Sequence, residues 1–201
     1  MDYIIIVIYK IMAENNIKDL LLNEVKPGWL NLFNNNKKLK TLLDDCINRL
    51  GTEITNNPKK VLCPNINNVF EIFKLLDIDD ITVIILGQDP YPNSNDATGM
   101  AFSTNKIKSI PGSLRNIYSA LITDNHIKKM PATGNLMKWI TQGVFLINKL
   151  LTTFEKESKI HTFWNKFTDE IIRLITKRRK NIVYLIWGKE AEKILLVIDK
   201  Y

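Results

Sequence analysis

Cysteine and histidine are both scarce in this chain, with two of each among 201 residues. Cys46 and Cys63 have no CxxC spacing and His126 and His161 lie far apart, so neither a disulfide framework nor a zinc site is signalled. Both thiols are expected to be free and buried. No apolar run approaches the ~20 residues that cross a bilayer. The stretch Tyr3 to Tyr9 (YIIIVIY) is too short for that, and Asp2 before it and Lys10 to Glu14 (KIMAE) after it do not fit a secretory signal. Residues 1–16 are therefore read as an added strand or tail, with Met12 a second candidate start. An intracellular location is expected, with nucleus and cytoplasm both open, and no membrane partner. Internal repeats and low-complexity segments are lacking. With 45% hydrophobic and 24% charged residues the chain suits one monomeric domain over residues 17–201.

Acidic residues are scarce in one half only. Residues 1–100 hold 10 Lys and Arg against 13 Asp and Glu, whereas residues 101–201 hold 18 against 8. A polyanionic partner on the second half and a lysine-rich solvated surface both fit this split.

What is present is an alternation of two hydrophobic periods. Residues 38–50 (KLKTLLDDCINRL) place Leu39, Leu42, Leu43, Cys46 and Leu50 on one helical face, with Gly51 as the expected C-cap. Ile81–Leu86, Val144–Ile147 and Ile182–Ile186 are short, apolar and rich in β-branched residues, as strands buried on both faces should be. Helical stretches at 113–123, 136–141 and 163–176 lie between and beside them. Strands alternating with helices predict an α/β fold with a parallel sheet. Ligands of such sheets lie beyond the carboxyl ends of the strands. The segments that follow these ends are Gly87-Gln88-Asp89, Asn148, and Trp187-Gly188-Lys189.

In order along the chain stand GQDPYP (87–92), GMAFS (99–103), SIPGSL (109–114), GVFLIN (143–148) and IWG (186–188). This succession resembles family 1 uracil-DNA glycosylase, from about Trp29 through Asp199. The resemblance implies a three-layer sandwich with a small central parallel β-sheet flanked by helices. It also implies release of uracil from single- or double-stranded DNA as the first step of base excision repair, through extrusion of the base and without metal or cofactor. By the same resemblance Asp89 and Gln88 are catalytic: Asp89 orients the water and stabilises the cationic sugar, and Gln88 helps to place base and water. Asn148 reads the uracil edge with an amide that both donates and accepts, Phe102 stacks on the ring, and Tyr91 excludes a methyl at C5. Pro111, Gly112 and Ser113, with Ser113 as a helix cap, and Gly188 with Lys189 would meet DNA phosphates. The basic run Lys177–Lys180 (KRRK) instead falls at the sheet's amino edge and reads as a solvated helix C-terminus.

The chain departs from the family pattern at Pro92, usually His; at Gly112, commonly Pro; and at Lys189, usually Ser. In the family, residues beyond the 188–200 region continue into a further strand and a HPSPLS-like loop carrying a histidine and a leucine; neither His126 nor His161 stands in a matching motif. The alternative expectation is a weak or inactive chain that binds DNA as a replication-associated subunit.

Overall fold

The computed structural model describes residues 16–187 and 194–198. The Tyr3–Tyr9 stretch and the pair Gly188 and Lys189 lie outside the described residues. Helix α1 (16–22) leads into α2 (Pro27–Asn35), α3 (Lys37–Asn56), the short strand β1 (Leu62–Cys63) and α4 (Glu71–Leu75). The chain continues through β2 (Val83–Gly87), α5 (Gly112–Thr123), α6 (Met137–Ile140), β3 (Val144–Asn148), β4 (Thr153–Phe154), α7 (Trp164–Arg178), β5 (Val183–Ile186) and α8 (Leu195–Ile198).

The three apolar runs form one parallel sheet in the order β3-β2-β5, flanked by helices as expected. On one face, Phe145 of β3 meets the rings of Trp29 and Phe73, and Phe33, Phe70, Trp164 and Phe167 extend this aromatic core across α2, α4 and α7. Burial of that many rings is the main force that seats the helices on the sheet. The indole of Trp29 stays satisfied there by donating to the Leu76 carbonyl at 2.9 Å. On the other face α5 packs through Leu114 and Tyr118, and an apolar groove of about 760 Å³ runs between Ile117 and Leu121 of α5 and Val83, Ile85, Val144 and Leu185 of the sheet.

Several local expectations are corrected. Gly51 does not cap a helix; α3 runs on to Asn56, because Ile54 continues the apolar stripe onto the core and offsets the ~1 kcal/mol that an interior glycine costs. Strand β5 is not buried on both faces: its residues are half-buried and Val183 is 53% exposed, with Leu185 lining the open apolar groove beside α5. The antiparallel pair β1 and β4, two residues each, leaves too short a pattern to read in advance.

Cys46 and Cys63 are free and buried, and burial pushes their thiols up to about 12 and about 11. The basic run stands at the amino end of the sheet as expected. Arg178 is not merely solvated, however: its guanidinium holds both carboxylate oxygens of Asp79, just before β2, at 2.7 and 2.6 Å. Among the described residues no helix is long and apolar enough to cross a membrane.

Candidate active site

Strands β2 and β3 run parallel in register, so Gly87 stands opposite Asn148 at their carboxyl ends. The pairing continues past the strands: Lys149 N–H donates to the Gly87 carbonyl and Leu150 N–H to the Gln88 carbonyl, both at 2.9 Å. Asn148 is thereby folded back over Gly87, and a Cβ on residue 87 would sit 2.1 Å from Asn148 Oδ1. Only glycine leaves room for that amide. Asn148 is 7% exposed and its amide makes no hydrogen bond with the described residues, so one donor and one acceptor group face a cavity of about 230 Å³. The amide is open to that cavity, where a ligand with the complementary edge can meet both groups.

Asp89 lies on the same wall, and both of its oxygens are held. Gln88 Nε2 donates to Oδ1 and the Lys159 backbone N–H donates to Oδ2, each at 2.9 Å. Lys159 adopts a left-handed conformation (φ 57°) to aim that N–H. Its loop is fastened on both sides. Lys156 N–H donates to the Pro92 carbonyl at 2.9 Å, and Ser94 Oγ donates to Glu155 at 3.0 Å. Further on, the Trp164 indole donates to Thr152 Oγ1 at 2.7 Å, and Thr152 Oγ1 lies 2.8 Å from Nδ1 of the buried His161. Burial holds the His161 pKa below the usual histidine value. Sequence reasoning missed the Lys159 amide altogether: a backbone N–H in a polar turn carries no residue signature.

Across the cavity the Tyr91 hydroxyl donates to the Phe102 carbonyl at 2.9 Å and lies 3.3 Å from Ser113 Oγ, with burial raising its pKa. Phe102 itself is left-handed (φ 63°), which turns its carbonyl to Tyr91, and its half-buried ring meets Trp187 edge-on at 5.6 Å. The expectation that Ser113 caps the following helix is corrected. Helix α5 begins one residue earlier, Pro111 occupies the cap position, and no side chain caps it. Ser113 instead turns its hydroxyl toward Tyr91. Gln88, Asp89, Tyr91, Phe102, Ser113 and Asn148 thus line one cavity, while Pro111 and Gly112 adjoin it without lining it. Among the described residues no three His, Cys, Asp or Glu side chains are grouped as metal ligands.

Gly112 has open space where a Cβ would go. Gly112→Ala should therefore stabilise the protein by ~0.4–1 kcal/mol through the unfolded chain's lost freedom, seen as a higher denaturant midpoint with an unchanged slope.

A sequence model of the uracil DNA glycosylase superfamily matches residues 73–200. Among curated relatives, the uracil-DNA glycosylase of Flavobacterium johnsoniae is 40% identical over 178 residues, which are 88% of this chain and 78% of that protein. That of Francisella tularensis subsp. holarctica is 42% identical over 142 residues, 70% of this chain and 64% of the relative. Among solved structures, the crystal structure of mimivirus uracil-DNA glycosylase superposes with a TM-score of 0.83 at 32% identity, covering 94% of this chain and 68% of that one. The chain therefore spans between 64% and 78% of the length of these three relatives.

Proposed function

The chain belongs to the uracil DNA glycosylase superfamily, and from that membership we propose that its cavity takes up a uracil extruded from DNA and that Asp89 directs water onto the sugar. The observation that carries this reading is the amide of Asn148, without a partner among the described residues, facing the same cavity as a carboxylate fixed by two N–H donors. The amide suits the uracil edge, whose N3–H donates and whose O4 accepts. Phe102 offers its ring to the base, a contact worth ~1–3 kcal/mol where single strands stack on aromatic side chains. Tyr91 cannot swing away from C5 without losing its bond to the Phe102 carbonyl, and this rigidity turns a methyl group into a steric penalty.

In the reaction the C1′–N1 bond breaks and its electron pair leaves with the uracil. Positive charge spreads over the sugar, and the Asp89 carboxylate stabilises it from a fixed position. Water then bonds to C1′ and passes a proton to Asp89. The two N–H donors to Asp89 hold its oxygens in place before substrate arrives, so little reorganisation is needed in the transition state.

The test is release of free base from single-stranded oligonucleotides that carry one uracil or, in parallel, only thymine. The wild-type chain is expected to release uracil and no thymine, and Tyr91→Ala to gain measurable thymine release while losing some rate on uracil. Folded wild-type protein that releases no uracil would overturn the reading.

A further inference from the structure

Between Phe102 and Ser113, both on the cavity wall, the chain makes an excursion whose purpose the pocket does not explain. Residues 104–108 pair with residues 132–134 in a short antiparallel ribbon. Thr104 N–H donates to the Gly134 carbonyl at 3.0 Å, Gly134 N–H to Lys106 at 3.0 Å, and Lys108 N–H to Ala132 at 2.9 Å, with Ile107 bridged to Thr133. The ribbon is anchored by Asp96, which stands one residue before the cavity-lining Ala97 and takes the Lys106 ammonium at 2.7 Å and the Thr104 hydroxyl at 3.2 Å. The next segment is tied back by the Arg115 guanidinium on the Ile110 carbonyl at 3.3 Å.

At the tip this rigid device presents an unusual pair of side chains. Ile107 is 69% exposed, and Lys108 is held left-handed (φ 70°), a conformation costly for a long side chain in a segment with no cavity to serve. The adjoining strand is approached by Lys128, Lys129 and the 39% exposed Met130. From Ala97 to Phe154 the chain contains seven Lys and Arg residues, and Asp124 is its sole acid. Five and six residues separate Ile107 from Phe102 and Ser113, so at ~3.3–3.6 Å per residue the tip lies no more than about 18 Å from the cavity mouth. That is within a few nucleotides of whatever base the cavity holds.

We propose that this ribbon is a second nucleic-acid contact, gripping the DNA strand beside the extruded nucleotide. Ile107 presses on the apolar face of a neighbouring base or sugar, and Lys108, with Lys128 and Lys129 behind it, neutralises the adjoining phosphates. The proposal rests on the functional reading above but concerns a different surface from the base pocket. It explains why an aliphatic side chain and a strained lysine are displayed together on a braced tip rather than folded inward.

The test compares wild type with Ile107→Ser and with Lys108→Asn, the latter chosen because Asn tolerates the left-handed conformation. Uracil release is followed on a single-stranded oligonucleotide of about twenty residues, long enough for flanking contacts over several nucleotides, and on a trinucleotide with central uracil. Both variants should raise KM severalfold on the long substrate, leave kcat unchanged, and behave as wild type on the trinucleotide. Lys108→Asn should also flatten the log–log salt dependence of oligonucleotide binding by ~0.7, the slope of one phosphate contact on single strands. Lys177→Gln, at the opposite end of the sheet, serves as the control for net charge and should change none of these. Equal KM and equal salt slope in the variants and wild type would overturn the proposal. Should wild type release no uracil, the functional reading falls, and the salt dependence of binding, measured by fluorescence anisotropy, still decides the ribbon's role.

Discussion

Asp89→Asn should lower kcat for uracil release by about 10²- to 10⁴-fold, the range spanned by losing a catalytic base or one principal electrostatic contact, with KM nearly unchanged. The reason lies in the two hydrogen bonds that hold the carboxylate. Oδ1 accepts from Gln88 Nε2 and Oδ2 from Lys159 N–H. An asparagine has one oxygen for these two donors, so its NH₂ must face either the Gln88 amide or the Lys159 N–H. The substitution therefore removes the negative charge that faces the sugar, and it keeps both contacts only if the Gln88 amide turns over to present its oxygen to the new NH₂. Denaturant unfolding separates the two effects. A fall in kcat with a midpoint close to wild type assigns the loss to charge, whereas a variant that keeps most of its activity would remove Asp89 from the chemistry.

Gly87→Ala is the second large effect, and it acts without touching a charged group. The new methyl would lie 2.1 Å from Asn148 Oδ1 and 3.0 Å from the Ala101 Cβ. The backbone of residue 87 is pinned by the ladder to β3, so the amide must rotate away. A displacement of about 1 Å in a positioning group costs on the order of 10²-fold, and that is the expected fall in kcat/KM. Overpacking adds a destabilisation of about 1–3 kcal/mol. The double variant Gly87→Ala with Asn148→Ala should recover most of the stability and none of the activity. Such strong coupling in one property and not the other is the signature of a direct clash at a functional amide. Full activity in Gly87→Ala alone would show that the amide reads nothing.

Much of this arrangement was legible from local patterns. Ile81–Leu86 and Val144–Ile147 announce buried parallel strands because most of their residues are apolar and buried, and the polar residues that end them are conspicuous by contrast. Asn148 and Asp89 stand out for that reason, whereas Tyr91 and Phe102 are named only through the family resemblance, and the cavity brings all four together. Other features leave no such trace. The role of the Lys159 amide depends on a loop 70 residues away from Asp89, and any residue able to adopt its backbone angles would supply the same N–H. The hydroxyl of Ser113 reads as a cap because Ser often is one; the contact that redirects it, Tyr91, is remote in sequence. Gly51 misleads because a glycine within a helix and one just beyond it look alike until the burial of Ile54 is known. The half-exposed β5 reads like the other two strands because apolar composition does not reveal how completely the helices cover a strand's faces.

The ladder between Gly87 and Gln88 on one side and Lys149 and Leu150 on the other has a dynamic consequence. These bonds lie past the ends of the strands, where a turn would normally fray. They join the segment bearing Asp89 to the segment bearing Asn148 before the two diverge, and the Lys159 bond joins them again farther out. Neither segment can open while the other stays closed. In a hydrogen-exchange experiment the amides of Lys149, Leu150 and Lys159 should therefore open as one cooperative unit. The base-reading and water-directing halves of the site would then be lost and regained in a single event.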